Sequence, residues 1–187
     1  YENRSINDRT VKACIPFVDA LTSGYCIPTP FDLKIKKEQG PNGELGIYTE
    51  WGTLGARELG AKLPHLDFSA HNPGQYKNMP FPEGHWNVVA KFVLPWSIET
   101  PPGYSCLFVP PMNRERKYFE IISGIVDTDG FEFNLNFPIY MKDWDETKGP
   151  HVELVIPGGT PIAHVFPFKR DNWKMTIGKN PKHKTTE

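Results

Sequence analysis

Two acidic residues spaced two positions apart are the first candidates for chemistry in this chain. Asp127 and Asp129 belong to the run Asp127-Thr128-Asp129-Gly130, which has the acid spacing with which calcium-binding loops begin. The third acidic residue and the closing Glu of that twelve-residue loop are missing. The run therefore predicts a polar β-turn, and no metal site is predicted from it.

Histidines are the next candidates, because three of them fall in a region rich in Gly, Pro and Asn. His65, His71 and His85 are separated by six and fourteen residues, which fits no common zinc-binding pattern. Ordinary surface or half-buried histidines are the favoured interpretation, and His151 and His164 are weaker candidates still. The sequence also contains no GxSxG, P-loop or GxGxxG motif, so the common hydrolase and nucleotide-binding signatures give no support.

Aromatic side chains offer a third kind of chemistry, the stacking of a sugar or a base. The tryptophans are Trp51, Trp86, Trp96, Trp144 and Trp173. Spread through a proline-rich β-protein, such residues more often build the core or a subunit interface. The basic run KNPKHK near the end of the chain favours a solvated terminus over a nucleic-acid contact.

The overall composition limits the functions in which these residues can take part. In 187 residues, 21 Lys and Arg face 22 Asp and Glu, and the net charge of -1 gives no broad attraction for nucleic acid or an acidic membrane. The length fits a single domain, and 13% aromatic residues supply core material. No stretch approaches the roughly 20 apolar residues of a membrane span, and no signal segment is visible from Tyr1 onward.

The cysteines bear on the cellular compartment. Cys14, Cys26 and Cys106 include no CxxC pair, and an odd number cannot form a closed set of disulfides. We therefore expect a reducing compartment, with all three cysteines as small buried hydrophobic residues.

The first half of the chain predicts few regular elements. Its prolines and glycines lie between short apolar runs, which indicates many short strands. Residues 1–12 predict an N-terminal arm, residues 16–24 one short helix, and residues 31–49 a strand, a turn at a Pro-Asn-Gly step and a return strand. Residues 51–86 lack periodicity and predict a long excursion, ordered either by its own aromatic residues or by a partner.

The second half predicts the core of one domain that spans residues 1–187, with its strands in 87–168 and a mobile tail at 178–187. Strands are expected over 87–94, 96–100, 104–110, 118–127, 131–141, 151–157 and 160–168. Prolines inside several of these runs predict edges, bends and barrel corners rather than one flat central sheet.

Three motifs in a fixed order resemble the strand framework of the dUTPase and dCTP deaminase superfamily. Residues 98–104, IETPPGY, are similar to the strand and PPGY turn of dUTPases, and residues 123–131, SGIVDTDGF, are similar to their GVID element. Residues 155–165, VIPGGTPIAHV, resemble the late GDRIAQ element between its two apolar runs. Ser23-Gly24-Tyr25 and Phe31-Asp32-Leu33 resemble, more loosely, an early AGYDL element.

This resemblance implies a mostly β fold, a β-clip or distorted jelly-roll barrel with one short N-terminal helix, and a homotrimer, since the family builds its interfaces that way. The chain also resembles a group of phage and bacterial proteins with the patterns PFxDAxxxGY, WxIxTPPGYS and FxIISGIVDTD. That group implies no particular activity. It implies a phage virion or accessory protein, other virion proteins as partners, and a location in a reducing cytoplasm or in a virion.

The dUTPase resemblance also implies functional residues. Asp127 matches the Asp of the GVID element, which holds the sugar and the attacking water, and Phe131 corresponds, one residue late, to the aromatic that packs on deoxyribose. Arg114 and Arg116 lie next to the position of the phosphate-binding segment, and His164 takes the place of the glutamine in GDRIAQ. An enzyme of this kind would use Mg²⁺ with its nucleotide, and without that activity no cofactor is expected.

Other positions depart from the family pattern where catalysis would need it. Pro110 and Pro111 replace the arginine–serine segment and carry no backbone donor, Pro161 replaces an arginine, and the glycine-rich carboxyl arm has no counterpart. We therefore expect a non-catalytic structural or interaction protein on a dUTPase-like scaffold. The alternative is a divergent deoxynucleotide-binding enzyme, a dUTP pyrophosphatase or a dCTP deaminase, with Glu120 or Glu132 as the acid of a deaminase.

Overall fold

The computed structural model describes residues 10–39, 45–51, 67–143 and 152–178. Within these ranges the chain is mostly β and has one α-helix, α1 (Ile15–Thr22). The strands are β1 (Tyr25–Pro28), β2 (Leu33–Gln39), β3 (Leu45–Trp51), β4 (Asp67–Ala70), β5 (His85–Val93), β6 (Tyr104–Val109), β7 (Phe119–Ile121), β8 (Gly124–Val126), β9 (Asn136–Lys142), β10 (Val152–Ile156) and β11 (Pro161–Lys169). Short 3₁₀ turns lie at Val11–Ala13 and Pro73–Gln75.

These strands form three antiparallel sheets. The first sheet has the order β1-β11-β6-β8, the second β10-β2-β3 and the third β4-β5-β9-β7. The predicted mostly β class with one short N-terminal helix is confirmed. The described strands do not close into the barrel that the resemblance implies, because the three sheets are separate and each has two edge strands. Over the same residues, no helix has the length and apolar character needed to cross a membrane.

One cluster of buried side chains joins the three sheets. Ile35 of the second sheet and Phe92 and Ile139 of the third are completely buried within it. The rings of Phe108 in the first sheet and Phe137 in the third lie 5.6 Å apart in an edge-to-face contact. Because each sheet buries its apolar side against the others, none of them completes a core alone.

Prolines lie inside two strands that have neighbours on both sides, β9 and β11. The carbonyl of Pro138 in β9 accepts a hydrogen bond of 2.8 Å from the N–H of Ile122, one residue past the last β7 residue paired with β9. The N and C=O of a strand residue point to the same side, so the proline ring faces the end of the β7 ladder. Pro167 lies beyond Val165, where the pairing of β11 with β1 ends. Both prolines therefore lie where the pairing with a neighbouring strand ends, which agrees with the expected association of proline with strand edges.

Three strand predictions need correction. Residues 96–100 form no strand, and this segment is flanked by Pro95 and Pro101, which have no backbone N–H to donate. The run 118–127 is divided between β7 and β8, which belong to different sheets. The strand expected from residue 131 begins only at Asn136.

Cysteine burial also differs from the expectation. Cys106 is buried in β6, whereas Cys14, which precedes α1, and Cys26, in the edge strand β1, are exposed. All three are free thiols, because none pairs with another.

Of the excursion predicted over residues 51–86, the structure describes Trp51, which ends β3, and residues 67–86. It contains β4, which pairs with β5, and a 3₁₀ turn capped by the Asn72 side chain. Aromatic rings pack this region, with Phe81 at 5.9 Å from Tyr76 and 5.8 Å from Tyr140. The Pro-Asn-Gly step of the predicted hairpin and most of the predicted N-terminal arm and tail lie outside the described residues, but Gln39 pairs with Leu45 as a β2–β3 hairpin requires.

Candidate functional site

The PPGY segment forms a tight turn at one end of the first sheet. The N–H of Tyr104 donates to the carbonyl of Pro101 at 3.2 Å, and Gly103 has a φ of 84°. Proline at the second position and a left-handed glycine at the third are what a type II turn favours. The chain then enters β6, and the N–H of Gly103 donates to Asp129 Oδ2 at 2.8 Å.

The acidic run forms a second turn at the same end of the sheet. The N–H of Gly130 donates to the carbonyl of Asp127 at 3.2 Å, which confirms the predicted polar β-turn. Because Cys106 of β6 pairs with Val126 of β8, the two turns lie side by side.

Arg170, the residue after β11, brings a positive charge to these turns. Its Nη1 donates to Asp129 Oδ1 at 2.9 Å and lies 3.2 Å from Asp127 Oδ1, while its Nη2 donates to Asp129 Oδ2. The same Nη1 also donates to the carbonyl of Tyr104 at 3.0 Å and to Ser105 Oγ at 3.1 Å. The pairing of Lys169 with Tyr104 brings Arg170 beside the PPGY turn.

Ser105, Asp127, Asp129 and Arg170 together are called the Asp–Arg cluster below. Ser105 is buried and donates from Oγ to Asp127 Oδ1 at 2.6 Å. The side chain of Asp129 is 15% exposed and that of Asp127 is 71% exposed. The Asp129 carboxylate is therefore largely enclosed by the protein, and the Asp127 carboxylate faces solvent.

The charges of the cluster stabilise each other. Hydrogen bonds from the Arg170 guanidinium, and then from the Gly103 N–H, lower the pKa of Asp129 from 3.8 to about 2. The hydrogen bond to Asp129 in turn raises the pKa of Arg170 above its ordinary value. Both groups are thus charged throughout the physiological pH range.

A pair of hydroxyls, one of them buried, joins the segments that carry the two turns. The Oγ1 atoms of Thr100 and Thr128 share a hydrogen bond of 2.7 Å, and the Thr128 hydroxyl also reaches Cys106 Sγ at 3.4 Å. Thr128 is buried, so its hydroxyl depends on these partners. The PPGY region and the acidic turn are therefore joined twice, by the Thr100–Thr128 hydrogen bond and by the hydrogen bond from Gly103 to Asp129.

The chemistry open to the cluster follows from this geometry. Two carboxylates outnumber one guanidinium, and that guanidinium is bonded on both of its Nη atoms. An incoming phosphate would meet net negative charge. Asp127 retains exposed acceptor capacity for a water, a hydroxyl or a cation.

The structure places Arg116 away from Asp127. Arg116 Nη1 pairs with Glu120 Oε1 at 2.7 Å, and Arg116 lines a small cavity with Pro161 and Ile162, at the start of β11. Arg170 follows the other end of this nine-residue strand, roughly 30 Å from its start at the usual rise per residue. Arg114 is exposed in the loop that also holds Arg116.

Two other candidates make contacts within the fold. His164 is buried in β11, and its Nε2 donates to the carbonyl of Ser23 at 2.7 Å, which attaches the end of α1 to the first sheet. Phe131 is exposed and lies edge-on against Phe133 at 5.7 Å. The contacts found for Asp127 are to Ser105 and Arg170, not to His164 or Phe131.

The remaining histidines either have a local partner at Nδ1 alone, with a buried Nε2 that has no hydrogen-bond partner, or lie outside the described residues. His71 Nδ1 is 3.1 Å from Gln75 Oε1, and His85 Nδ1 is 3.0 Å from the carbonyl of Glu83. His65 and His151 fall in ranges that the structure does not describe. In the part of the chain that is described, no three His, Cys, Asp or Glu side chains are arranged to hold a metal ion.

The sequence analysis missed Ser105 and Arg170 as members of a site. One signal for Arg170 was present: Asp127 and Asp129 lie two apart at the end of a strand, where a counter-charge would stabilise them, and Arg170 lies two residues beyond the last predicted strand, 160–168. Choosing Arg170 over other basic residues required knowing that β11 pairs with β6.

Comparisons of the chain with protein-family models, with curated proteins and with solved structures find no match. Over the described residues, the fold and the site define a mostly β-protein of three antiparallel sheets, with an Asp–Arg cluster at one end of the first sheet in which Arg170 contacts both carboxylates.

Proposed function

We propose that this chain is a non-catalytic structural or interaction protein on a dUTPase-like β-clip scaffold. The observation that carries the proposal is the state of Arg170, whose guanidinium is already bonded to Asp129, Ser105 and the carbonyl of Tyr104. Binding a triphosphate takes several charge-assisted hydrogen bonds from available cations. In the Asp–Arg cluster the Arg170 guanidinium is already used in contacts within the fold, and the two carboxylates leave a net negative charge.

Exposed apolar side chains favour an interaction role. Large examples are Ile125, Phe133, Val155, Trp173, Met175 and Ile177. Single exposed apolar residues are ordinary, but contiguous ones indicate a contact surface. The resemblance to phage and bacterial proteins directs this role to a virion component or an accessory protein, in a virion or a reducing cytoplasm, and the dUTPase resemblance favours a trimer.

A nucleotide assay tests the proposal. The purified chain is incubated with millimolar dUTP or dCTP and Mg²⁺, and the solution is analysed for dUMP with pyrophosphate and for deaminated product. We expect no turnover and no rise in melting temperature. Turnover that Asp127→Ala abolishes and Glu83→Ala, at an exposed acid outside the cluster, leaves intact would overturn the non-catalytic function.

One observation favours a second candidate, a divergent deoxynucleotide-binding enzyme. The Asp127 carboxylate is exposed and is oriented by Ser105 and Arg170, as a group that positions a water would be. Mg²⁺ would then accompany the triphosphate. In this case Ser105→Ala would lower kcat by disordering Asp127, an outcome that the same assay detects.

A further inference from the structure

The third sheet carries a second apolar layer on the side that faces away from the core. Ala90 of β5 pairs with Ile139 of β9, and both belong to the buried cluster that joins the three sheets. Successive strand residues project to opposite sides, so Val89 and Pro138 point away from that cluster. Val89 is nevertheless only 2% exposed and is not a member of the cluster. Another part of the chain therefore covers this side of the sheet.

The cover is the segment 71–81, called the roof loop below. Its first end is attached to β5, because the N–H of His71 donates to the carbonyl of Val89 at 2.9 Å. Its other end is attached to β9, because the Tyr140 hydroxyl donates to the carbonyl of Pro80 at 3.1 Å. The roof loop is thus held over the sheet at both of its ends.

A cleft of about 240 Å³ lies between the roof loop and the sheet. Its lining is mostly apolar and includes His71, Gln75, Tyr76 and Met79 above and Val89 and Pro138 beneath. The volume exceeds that of a cavity of roughly 150 Å³ that binds benzene, and it falls below the roughly 300–1,000 Å³ of pockets for drug-sized ligands. The cleft therefore fits one aromatic ring or a small two-ring system.

The His71 ring supplies a polar group beside this cleft. The Gln75 side-chain oxygen accepts from the N–H of Asn72 at 3.1 Å, and the same oxygen lies 3.1 Å from His71 Nδ1. An amide oxygen only accepts, so Nδ1 carries a hydrogen, and in the neutral ring Nε2 is an acceptor. Nε2 is buried and has no hydrogen-bond partner. A buried acceptor without a partner is unfavourable, and a donor that a ligand brings would satisfy it.

We propose that this cleft binds a small aromatic molecule with one O–H or N–H donor, of the chemical class of a phenol or an indole. The aromatic ring packs between Met79 and Pro138, and its donor bonds to His71 Nε2. Because Nε2 is buried, the exposed residues 72–75 of the roof loop shift outward with the imidazole to admit this bond.

The site is separate from the Asp–Arg cluster, since it lies on the third sheet and the cluster lies at one end of the first. The proposal goes beyond the interaction function proposed above and does not depend on it. Nucleotide turnover would refute the non-catalytic function alone, and a chain that does not bind phenol would refute the aromatic site alone.

An NMR titration of the full chain with phenol tests the site. We expect chemical-shift changes at the backbone amides of residues 71–79 and Val89, and none at Asp127 or Asp129. The dissociation constant should be about 1 mM or lower, which is within reach of a ligand of this size. An absence of shift changes at residues 71–79 with millimolar phenol overturns the proposal.

Toluene tests the donor. It has nearly the shape of phenol and is more apolar, but a methyl group replaces the hydroxyl. We expect toluene to bind about 5-fold more weakly than phenol, because it leaves Nε2 without a partner. Toluene that binds as tightly as phenol, or more tightly, overturns the proposal, since apolar burial alone would then account for the affinity.

A matched pair of roof-loop substitutions tests the location. Met79→Trp places an indole ring in the cleft and should abolish phenol binding, because the added ring fills the volume. Lys77→Trp adds the same ring at an exposed position of the same loop that does not line the cleft, and it should leave the dissociation constant unchanged. Phenol binding that persists in Met79→Trp overturns the proposal.

His71→Phe tests the acceptor, because it keeps a ring at this position and removes Nε2. The dissociation constants for phenol and toluene should then become equal, or their order should reverse. Circular dichroism checks that each variant is folded. A preference for phenol that is as large in His71→Phe as in the unaltered chain overturns the assignment of Nε2 as the acceptor.

Discussion

At the scale of single residues, Asp127 and Asp129 differ in what surrounds them. Asp129 receives hydrogen bonds from Arg170 and from the Gly103 N–H, whereas Asp127 is mostly exposed and is held by Ser105 and one edge of the guanidinium. Identical side chains two positions apart therefore have different roles. Asp129 joins the two turns, and Asp127 is the group that can meet a ligand.

The Asp129–Arg170 pair predicts a specific pH dependence of stability. The pKa of Asp129 is lowered from 3.8 to about 2 in the folded protein. Its contribution is therefore fully present above the unfolded value, and it is lost as the pH falls toward the folded value. We expect Asp129→Asn to lower the free energy of unfolding at pH 6, and we expect this difference to disappear by about pH 2.

Urea unfolding of both proteins between pH 2 and pH 6 measures this difference. A difference of the same size at both ends of the range would contradict the assignment of the pair as a stabilising charge contact.

At the scale of elements, the attachment of α1 to the first sheet depends on a close approach at Gly24. Gly24 has a φ of 68°, and a Cβ at this position would lie 2.4 Å from the carbonyl oxygen of Val165. The same region holds the His164–Ser23 hydrogen bond. The helix end and β11 therefore fit together only with glycine at position 24.

Two matched substitutions separate the cost of the left-handed backbone at Gly24 from the cost of its close contact with Val165. Gly84 has a similar φ of 70° but open space around it, so Gly84→Ala carries only the left-handed strain, about 1–2 kcal/mol. Gly24→Ala adds a clash with backbone, and we expect a loss at least about 2 kcal/mol larger. Chemical denaturation of both variants measures the free energies of unfolding. Equal losses would show that the close approach at Gly24 relaxes without cost.

At the scale of the whole molecule, the three sheets formed by the described residues share one core. Phe108 connects the first sheet to Phe137 of the third, and both rings are buried. Since each sheet relies on its neighbours for burial, we expect a single cooperative unfolding transition.

Phe108→Ala tests this coupling. Removing the ring should cost about 3–5 kcal/mol, and fluorescence and circular dichroism should report the same transition. Phe133→Ala removes the same ring from an exposed site and should change stability by less than about 1 kcal/mol. Two transitions that separate in the Phe108 variant would show that the sheets unfold independently.

Local signals predicted much of the strand content. In β9 the residues alternate between buried and less buried from Asn136 to Lys142, and this period of two is visible in the sequence. Pro16 and Gly24 likewise marked the helix, which runs from Ile15 to Thr22. The run 118–127 was predicted as one strand because both halves are apolar. Only their different partners, β9 for the first half and β6 for the second, show that it is two.

The sequence alone thus determined a mostly β chain, one short helix, the PPGY turn and the acidic turn, since each depends on residues near one another along the chain. Tertiary structure decided which strands share a sheet, and it brought Arg170 to Asp129 across 41 residues. The physical reason is that strand pairing joins distant segments, and nothing local specifies the partner. The acidic turn was visible in the sequence, but only the fold showed that Arg170 contacts both of its carboxylates.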